Sequence, residues 1–381
     1  MSAALGRLFD KAGPDSGASV YDLSGQASLY ELRAGIGRPP ASVEKLYTTV
    51  ALLQKLGPTA RLHTTVLGAG HLGPGGVWHG NLYLRGGGDP TFGDGAFNKT
   101  WEQGYGPTAS QLAGQLMSKG IHSVSGQLIA DESLFDNQRG GPATGNAPDV
   151  GDYGGQLSAL TYDHGSTAGP LGPAPFAAHQ LAGTLRATGL RVHAAANTAR
   201  TPSDARVLAV VSSPPLSVLL QLMDVPSDDL FADLFAKQLG ARFAAAGTLA
   251  AGAGVIRQVI SGYGLHPSIV DGSGLSRQDR SSPVEIVDLL REIYQTPAGD
   301  GLWDSLPTVG KVGTVQAIAV KTAADGHCVA KTGTLDNVTN LAGYCHVVGG
   351  HILAFALMVD GPSNWQALAL IGQMVAAIAR Y

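Results

Sequence analysis

A chain of 381 residues with 44% apolar side chains is long enough for one core domain with insertions, or for two domains. Its net charge of −4 and the absence of any long basic run exclude an electrostatic footprint for nucleic acid. No apolar stretch approaches the ~20 residues that span a bilayer. The opening Met1-Ser2-Ala3-Ala4-Leu5-Gly6-Arg7 lacks a charged segment followed by an apolar run. Two readings follow: a cytoplasmic protein, or one whose export signal is absent from this sequence.

In chain order, residues 18–33 predict two strands around Ser24-Gly25. Pro39-Pro40 stops the chain and Ser42 starts a helix, in which Val43, Leu46, Val50 and Leu53 recur until Gly57-Pro58. From 65 to 205 short strand-like runs (78–84, 124–129) alternate with turns such as Gly86-Gly87-Gly88-Asp89-Pro90, which predicts an inserted, mostly-β region with one helix near 176–188. Helical spacing returns at 228–245 through Leu230, Leu234 and Leu239. Strands follow at 327–333, 341–348 and 351–359, then a helix from Trp365 to Ile378. With Arg380 as its only basic residue, that helix reads as core packing rather than a membrane face. The pattern predicts an α+β fold, one antiparallel sheet flanked by helices. It assigns residues 1–64 and 206–381 to a discontinuous main domain and 65–205 to an inserted accessory region of one or two small domains.

Cys328 and Cys345 are the only cysteines. If their segments pair antiparallel with a turn near 336–337, the two fall opposite one another. A cross-strand disulfide and two buried thiols are both open on this pattern.

Two motifs carry chemistry. Ser42-Val43-Glu44-Lys45 is the only Ser-x-x-Lys, and Lys331-Thr332-Gly333-Thr334 lies far downstream in a chain with only nine lysines. Each alone is more often an ordinary helix start or strand end. Together they read as two of three parts of a serine acyl-transfer site. Helical spacing puts Lys45 on the same face as Ser42, one turn on, within reach of its hydroxyl. The helix start supplies free N–H groups where an oxyanion would form. The eleven histidines show no ligand spacing, so no metal is expected. No Gly-x-Ser-x-Gly elbow is present, and Asp271-Gly272-Ser273-Gly274 reads as a tight turn beside the core.

A third segment, Ser227-Asp228-Asp229, lies between the two motifs at a helix start. With Gly87-Gly88-Asp89-Pro90, Ser158-Ala159-Leu160, Asp271-Gly272-Ser273-Gly274-Leu275-Ser276-Arg277 and Leu341-Ala342-Gly343-Tyr344, nearly the whole chain resembles one family. It is similar to the type-4 penicillin-binding proteins, the low-molecular-mass class C D-alanyl-D-alanine carboxypeptidases and endopeptidases. The resemblance implies a β-lactamase/transpeptidase-like serine-peptidase domain acting outside the cytoplasm on peptidoglycan stem peptides. β-Lactams would be covalent inhibitors, and no metal or organic cofactor would be needed. It implies Ser42 as acylated nucleophile, Lys45 as its base, Ser227 as proton relay, and Lys331 with Thr332, Gly333 and Thr334 as the carboxylate-binding strand. Backbone N–H groups of Ser42 and Thr334 would form the oxyanion hole.

The departure is Asp229, where the family carries Asn. An amide both donates and accepts, whereas an ionised carboxylate only accepts and would hold Lys45 charged. Three readings stand: an impaired penicillin-binding homologue, a protonated Asp229 that imitates Asn, or a simple helix N-cap. Asp149, Asp152 and Tyr153 occupy a region that in this family can recognise an amine on the stem peptide. The alternative for them is solvated loop residues.

Overall fold

The computed structural model describes residues 1–381, apart from the side chain of Asp152. Its strands are β1 (Gly17–Asp22), β2 (Ala27–Leu32), β3 (His63–Leu72), β4 (Val77–Arg85), β5 (Ser123–Asp131), β6 (Arg191–Thr198), β7 (Arg206–Ser212), β8 (Cys328–Leu335), β9 (Val338–His346) and β10 (Ile352–Asp360). Its α-helices are α1 (Ser2–Ala12), α2 (Lys45–Leu56), α3 (Gly95–Trp101), α4 (Ala109–Ser118), α5 (Val150–Tyr153), α6 (Pro173–Ala187), α7 (Leu216–Asp224), α8 (Asp229–Phe243), α9 (Leu249–Ser261), α10 (Pro283–Ile293), α11 (Pro297–Ser305) and α12 (Asn364–Ile378). None is long and apolar enough to cross a membrane among the described residues.

The chain divides into two compact units. The first comprises Met1–Pro58, Leu216–Ala232 and Leu249–Tyr381. Its sheet runs β2-β1-β10-β9-β8, antiparallel throughout. Leu5 and Phe9 of α1 and Ile371, Met374 and Val375 of α12 join Val20, Leu341, Leu353, Phe355 and Leu357 in one core. Helix α10 covers β10 and β1. Covering on both faces explains why β9 is buried for eight consecutive residues where a half-covered strand would alternate. The turn at Asp336-Asn337 sets Cys328 opposite Cys345, and the two are joined in a disulfide.

The second unit comprises Thr59–Pro215 and Asp233–Thr248. Its sheet order is β6-β5-β4-β3-β7, with β4, β5 and β6 parallel and β3 antiparallel to both its neighbours. This corrects the mostly-β expectation. Besides the expected helix, here α6, there is α4, opened by a Thr108/Gln111 capping box. Leu112 and Leu116 of α4 and Leu181 and Leu185 of α6 pack on Leu82, Leu84 and Leu128 of the sheet. Parallel strands need such crossovers, and those helices supply them. The expected cut between 205 and 206 also differs from the structure. Strand β7 pairs with β3, more than 130 residues earlier, and so belongs to the second unit. The chain returns to that unit at Asp233, inside α8.

Candidate active site

The turn that carries Ser42 lies in the first unit. Residues Ala41–Glu44 form one 3-10 turn that leads directly into α2. Ser42 thus precedes the α-helix proper, and Lys45 is its first residue. Ala41 takes a left-handed φ of 50°, a strained conformation for a residue with a Cβ, and three neighbours hold it there. Asn340 of β9 donates its amide to the carbonyls of Pro39 (3.0 Å) and Pro40 (2.9 Å). Gly333 of β8 sits where an added Cβ would fall 2.3 Å from the Pro40 oxygen. Gly274 presses as closely, 2.0 Å from the Ala41 oxygen by the same measure.

Lys45 is fully buried. Its Nζ lies 3.1 Å from Ser42 Oγ, 2.9 Å from the Ser273 carbonyl and 2.5 Å from Asp229 Oδ1. These three acceptors match the three protons of an ammonium. Alternatively, a neutral amine there donates to Asp229 and Ser273 and turns its lone pair to the Ser42 hydroxyl. The Ser273 carbonyl is fixed in turn, because Asp271 accepts the N–H groups of Ser273, Gly274 and Ser276 and Thr48 bonds the Gly272 carbonyl.

Lys331 is also fully buried, and its Nζ donates to Ser227 Oγ at 2.7 Å. Burial, then the charge of Lys45, pushes its pKa down to about 7 against the pull of Asp224 and Asp229. Asp224 accepts from Thr49 and Ser305 through Oδ2, while its buried Oδ1 has no partner among the described residues. Burial raises its pKa to about 6 against the pull of Lys331. Glu44, fully buried behind Ser42, has its pKa pushed well up by burial and then by Asp279 and Asp271, against the pull of Lys45. Thr332 donates to Thr314 Oγ1 at 2.7 Å.

Strand β8 is a sheet edge, so half its backbone groups face away from β9. The N–H of Ala330 points outward to the Pro307 carbonyl. By the two-residue period, the N–H groups of Thr332 and Thr334 point the same way. The first N–H groups of a helix, here those of the Ala41–Glu44 turn and α2, have no partner four residues back within the helix. The same part of the first unit therefore holds a serine hydroxyl, two buried lysines whose charges act on each other, and outward N–H groups of β8.

A family model described as D-Ala-D-Ala carboxypeptidase 3 (S13) matches residues 7–173 and 170–381. The chain belongs to this family. It is a serine-type D-Ala-D-Ala carboxypeptidase, a hydrolase. It is 27% identical to a D-alanyl-D-alanine carboxypeptidase of Actinomadura sp. strain R39, over 97% of this chain and 82% of that protein. It is 29% identical to the carboxypeptidase DacB of Mycolicibacterium smegmatis, over 94% of this chain and 80% of that one. The crystal structure of penicillin-binding protein 4 from Haemophilus influenzae has the same fold, with TM-score 0.81, 19% identity and 98% of each chain covered. That protein was also solved with a β-lactam bound.

Within this S13 chain, hydrogen bonds connect Ser42, Lys45 and Asp229, and separately Ser227 and Lys331. The N-cap expectation falls on the wrong aspartate. Asp228 Oδ1 caps α8 by accepting the Phe231 N–H, while Asp229, the first helical residue, turns to Lys45. Asp149 and Tyr153 lie in the second unit. Tyr153 is buried, not solvated, and its hydroxyl donates to Asp233 at 2.7 Å. The side chain of Asp152 lies outside the described residues. Sequence reasoning missed Asp224, Thr314, Asn340 and the Ser273 carbonyl. Only the last left a local signal, the Asp271-Gly272-Ser273-Gly274 turn that binds Lys45 instead of merely lining the core.

Proposed function

We propose that the S13 enzyme cleaves the terminal D-Ala-D-Ala bond of peptidoglycan stem peptides, and related cross-links, through an ester on Ser42. The observation that carries this is the 3.1 Å approach of Lys45 Nζ to Ser42 Oγ. Neutral Lys45 takes the hydroxyl proton, and Oγ attacks the carbonyl carbon of the penultimate residue. The oxyanion forms against the N–H groups of Ser42 and Thr334. Collapse breaks the C–N bond, and the departing amine takes its proton through Ser227. Water then hydrolyses the ester. Lys331, Thr332 and Thr334 receive the substrate's terminal carboxylate. A β-lactam acylates Ser42 in the same way. The Cys328–Cys345 bridge supports an oxidising, extracytoplasmic location.

The Lys45–Asp229 ion pair favours a second reading, a site that acylates slowly and does not turn over. Fluorescent penicillin tests both. The expected result is covalent label in the native chain and none in Ser42→Ala, and label that persists in Ser42→Ala would remove the acyl-enzyme. Release of D-alanine from a D-Ala-D-Ala peptide then separates turnover from trapping.

A further inference from the structure

The second unit contains a cavity of about 720 Å³, lined by His63, Arg85, Asp131, Arg200, Gln238 and Arg242 among others. Its position follows from the sheet. Arg85 ends β4, Asp131 ends β5, and Arg200 lies two residues past β6, so all three stand at the carboxyl ends of parallel strands. His63 reaches the same edge because β3 runs the opposite way, with Thr65 facing Arg85. In α/β sheets the crevice beyond the strands' carboxyl ends is where ligands bind.

The charge of the cavity is uncompensated. Among the described residues no carboxylate lies within ion-pair distance of Arg85, Arg200 or Arg242, in a chain whose net charge is negative. The one acid in the lining is already engaged: Asp131 accepts the Ser133 N–H and both the N–H and hydroxyl of Thr201. Arg242 is held without being neutralised. With the Gln238 amide oriented so that both its atoms are satisfied, its oxygen accepts from Arg242 Nε (2.6 Å) and Nη2 (3.0 Å), and its nitrogen donates to the Gly87 carbonyl. A guanidinium fixed this way keeps further N–H donors in the fork geometry that matches oxyanions.

We propose that this cavity is a binding site for a ligand carrying two or more oxyanion groups, phosphates or carboxylates, bridged by Arg85, Arg200 and Arg242. Arginine forks at separate points of a cavity this size select spaced charges over a single small ion. Phosphate and carboxylate sources share this chemistry, and the test distinguishes them.

Calorimetric titration of the full chain with tripolyphosphate, and separately with the tricarboxylate citrate, at about 0.02 M ionic strength reads the site directly. Saturable binding is expected for at least one probe, and the tighter one identifies the source. Raising the ionic strength to about 0.3 M should weaken it, as charge pairing requires. The combined R85Q, R200Q and R242Q variant should bind at least about 10-fold more weakly. Arg191→Ala, at the start of β6 and outside the cavity, should bind as the native chain does. An unchanged melting temperature and unchanged penicillin labelling verify that the triple variant is folded. If it is not, the single Arg200→Gln variant, expected to lose several-fold, carries the test. No saturable binding of either probe, or equal affinity in the arginine variants, overturns the proposal.

Discussion

Asp229 Oδ1 lies 2.5 Å from Lys45 Nζ, so the carboxylate is bonded to the very amine that the proposed mechanism uses to deprotonate Ser42. As an ammonium with its protons directed at Asp229, Ser273 and Ser42, Lys45 presents no lone pair to the Ser42 hydroxyl. Asp229→Asn removes the ion pair and restores a donor for substrate. Acylation by fluorescent penicillin should rise about 10-fold or more, given that a single oxyanion-type donor is worth up to ~10²-fold. An equal or slower second-order rate constant would show that the carboxyl already serves catalysis, as a protonated donor does.

Lys331 gives a pH dependence. Its pKa is pushed down to about 7, so the ammonium proposed to receive the substrate carboxylate is present below that value and lost above it. Because Asp224 titrates beside it at about 6, the two lose protons as a pair. For a D-Ala-D-Ala peptide with a free carboxylate, kcat/KM should therefore fall as pH rises through about 7, chiefly through KM. A peptide amide should lack that limb. A free-acid profile that stays flat to about pH 9 would remove Lys331 as the carboxylate site.

Gly333 and Asn340 hold the backbone of residues 39–41 that leads into Ser42. Gly333→Ala puts a methyl 2.3 Å from the Pro40 oxygen, so β8 and the turn must separate. Overpacking of this kind costs about 1–3 kcal/mol. The displaced turn should slow penicillin acylation by on the order of 10²-fold, because geometry near the attack is that sensitive. Asn340→Ala removes the amide donor from the Pro39 carbonyl and leaves the Pro40 carbonyl only the longer bond from the Val43 N–H, at a cost of about 1–3 kcal/mol. Denaturant unfolding and acylation rates on both variants check this. Native rates in Gly333→Ala would show that the turn does not need β8.

The disulfide closes a loop with a sequence separation of 17 between Cys328 and Cys345. On the chain-entropy account its reduction costs roughly 3 kcal/mol. Intact mass should rise by two protons on reduction, with a matching loss of stability in denaturant. No mass change would mean that the thiols are free.

The parts of the site that sequence made legible are those whose chemistry is local. Ser42 and Lys45 are one turn apart, so spacing alone puts the amine beside the hydroxyl, and the β8–β9 turn places Cys328 opposite Cys345 by simple counting. The relationships it hid are non-local. Nothing near Asn340 marks it as a partner of Pro40, 300 positions away, and nothing near Asp224 shows that it enters the field of Lys331. The β7–β3 pairing is equally silent, which is why the expected domain boundary cut through a sheet. Asp228 and Asp229 illustrate a finer limit. Both suit a helix start, and only the φ of 67° at Ser227 and the position of Lys45 decide which one caps and which one pairs.

Asp89, in the glycine-rich turn after β4, sets a stability slope. It is buried, its Oδ1 accepts the N–H and hydroxyl of Thr91, and its Oδ2 has no partner among the described residues. Burial lifts its pKa to about 7 against those two bonds. The folded state therefore keeps a proton that the unfolded chain releases near pH 3.8, the ordinary value for this group. Stability from this group is complete below that value and drains away as pH rises to about 7, a change on the order of 4 kcal/mol at most. Asp89→Asn preserves the Oδ1 acceptor and cannot ionise. Relative to the variant, the native chain should lose stability steadily between about pH 4 and 7, read as diverging urea midpoints. Parallel midpoints across that range would mean that Asp89 is ionised in the folded protein and that its charge is compensated where it lies.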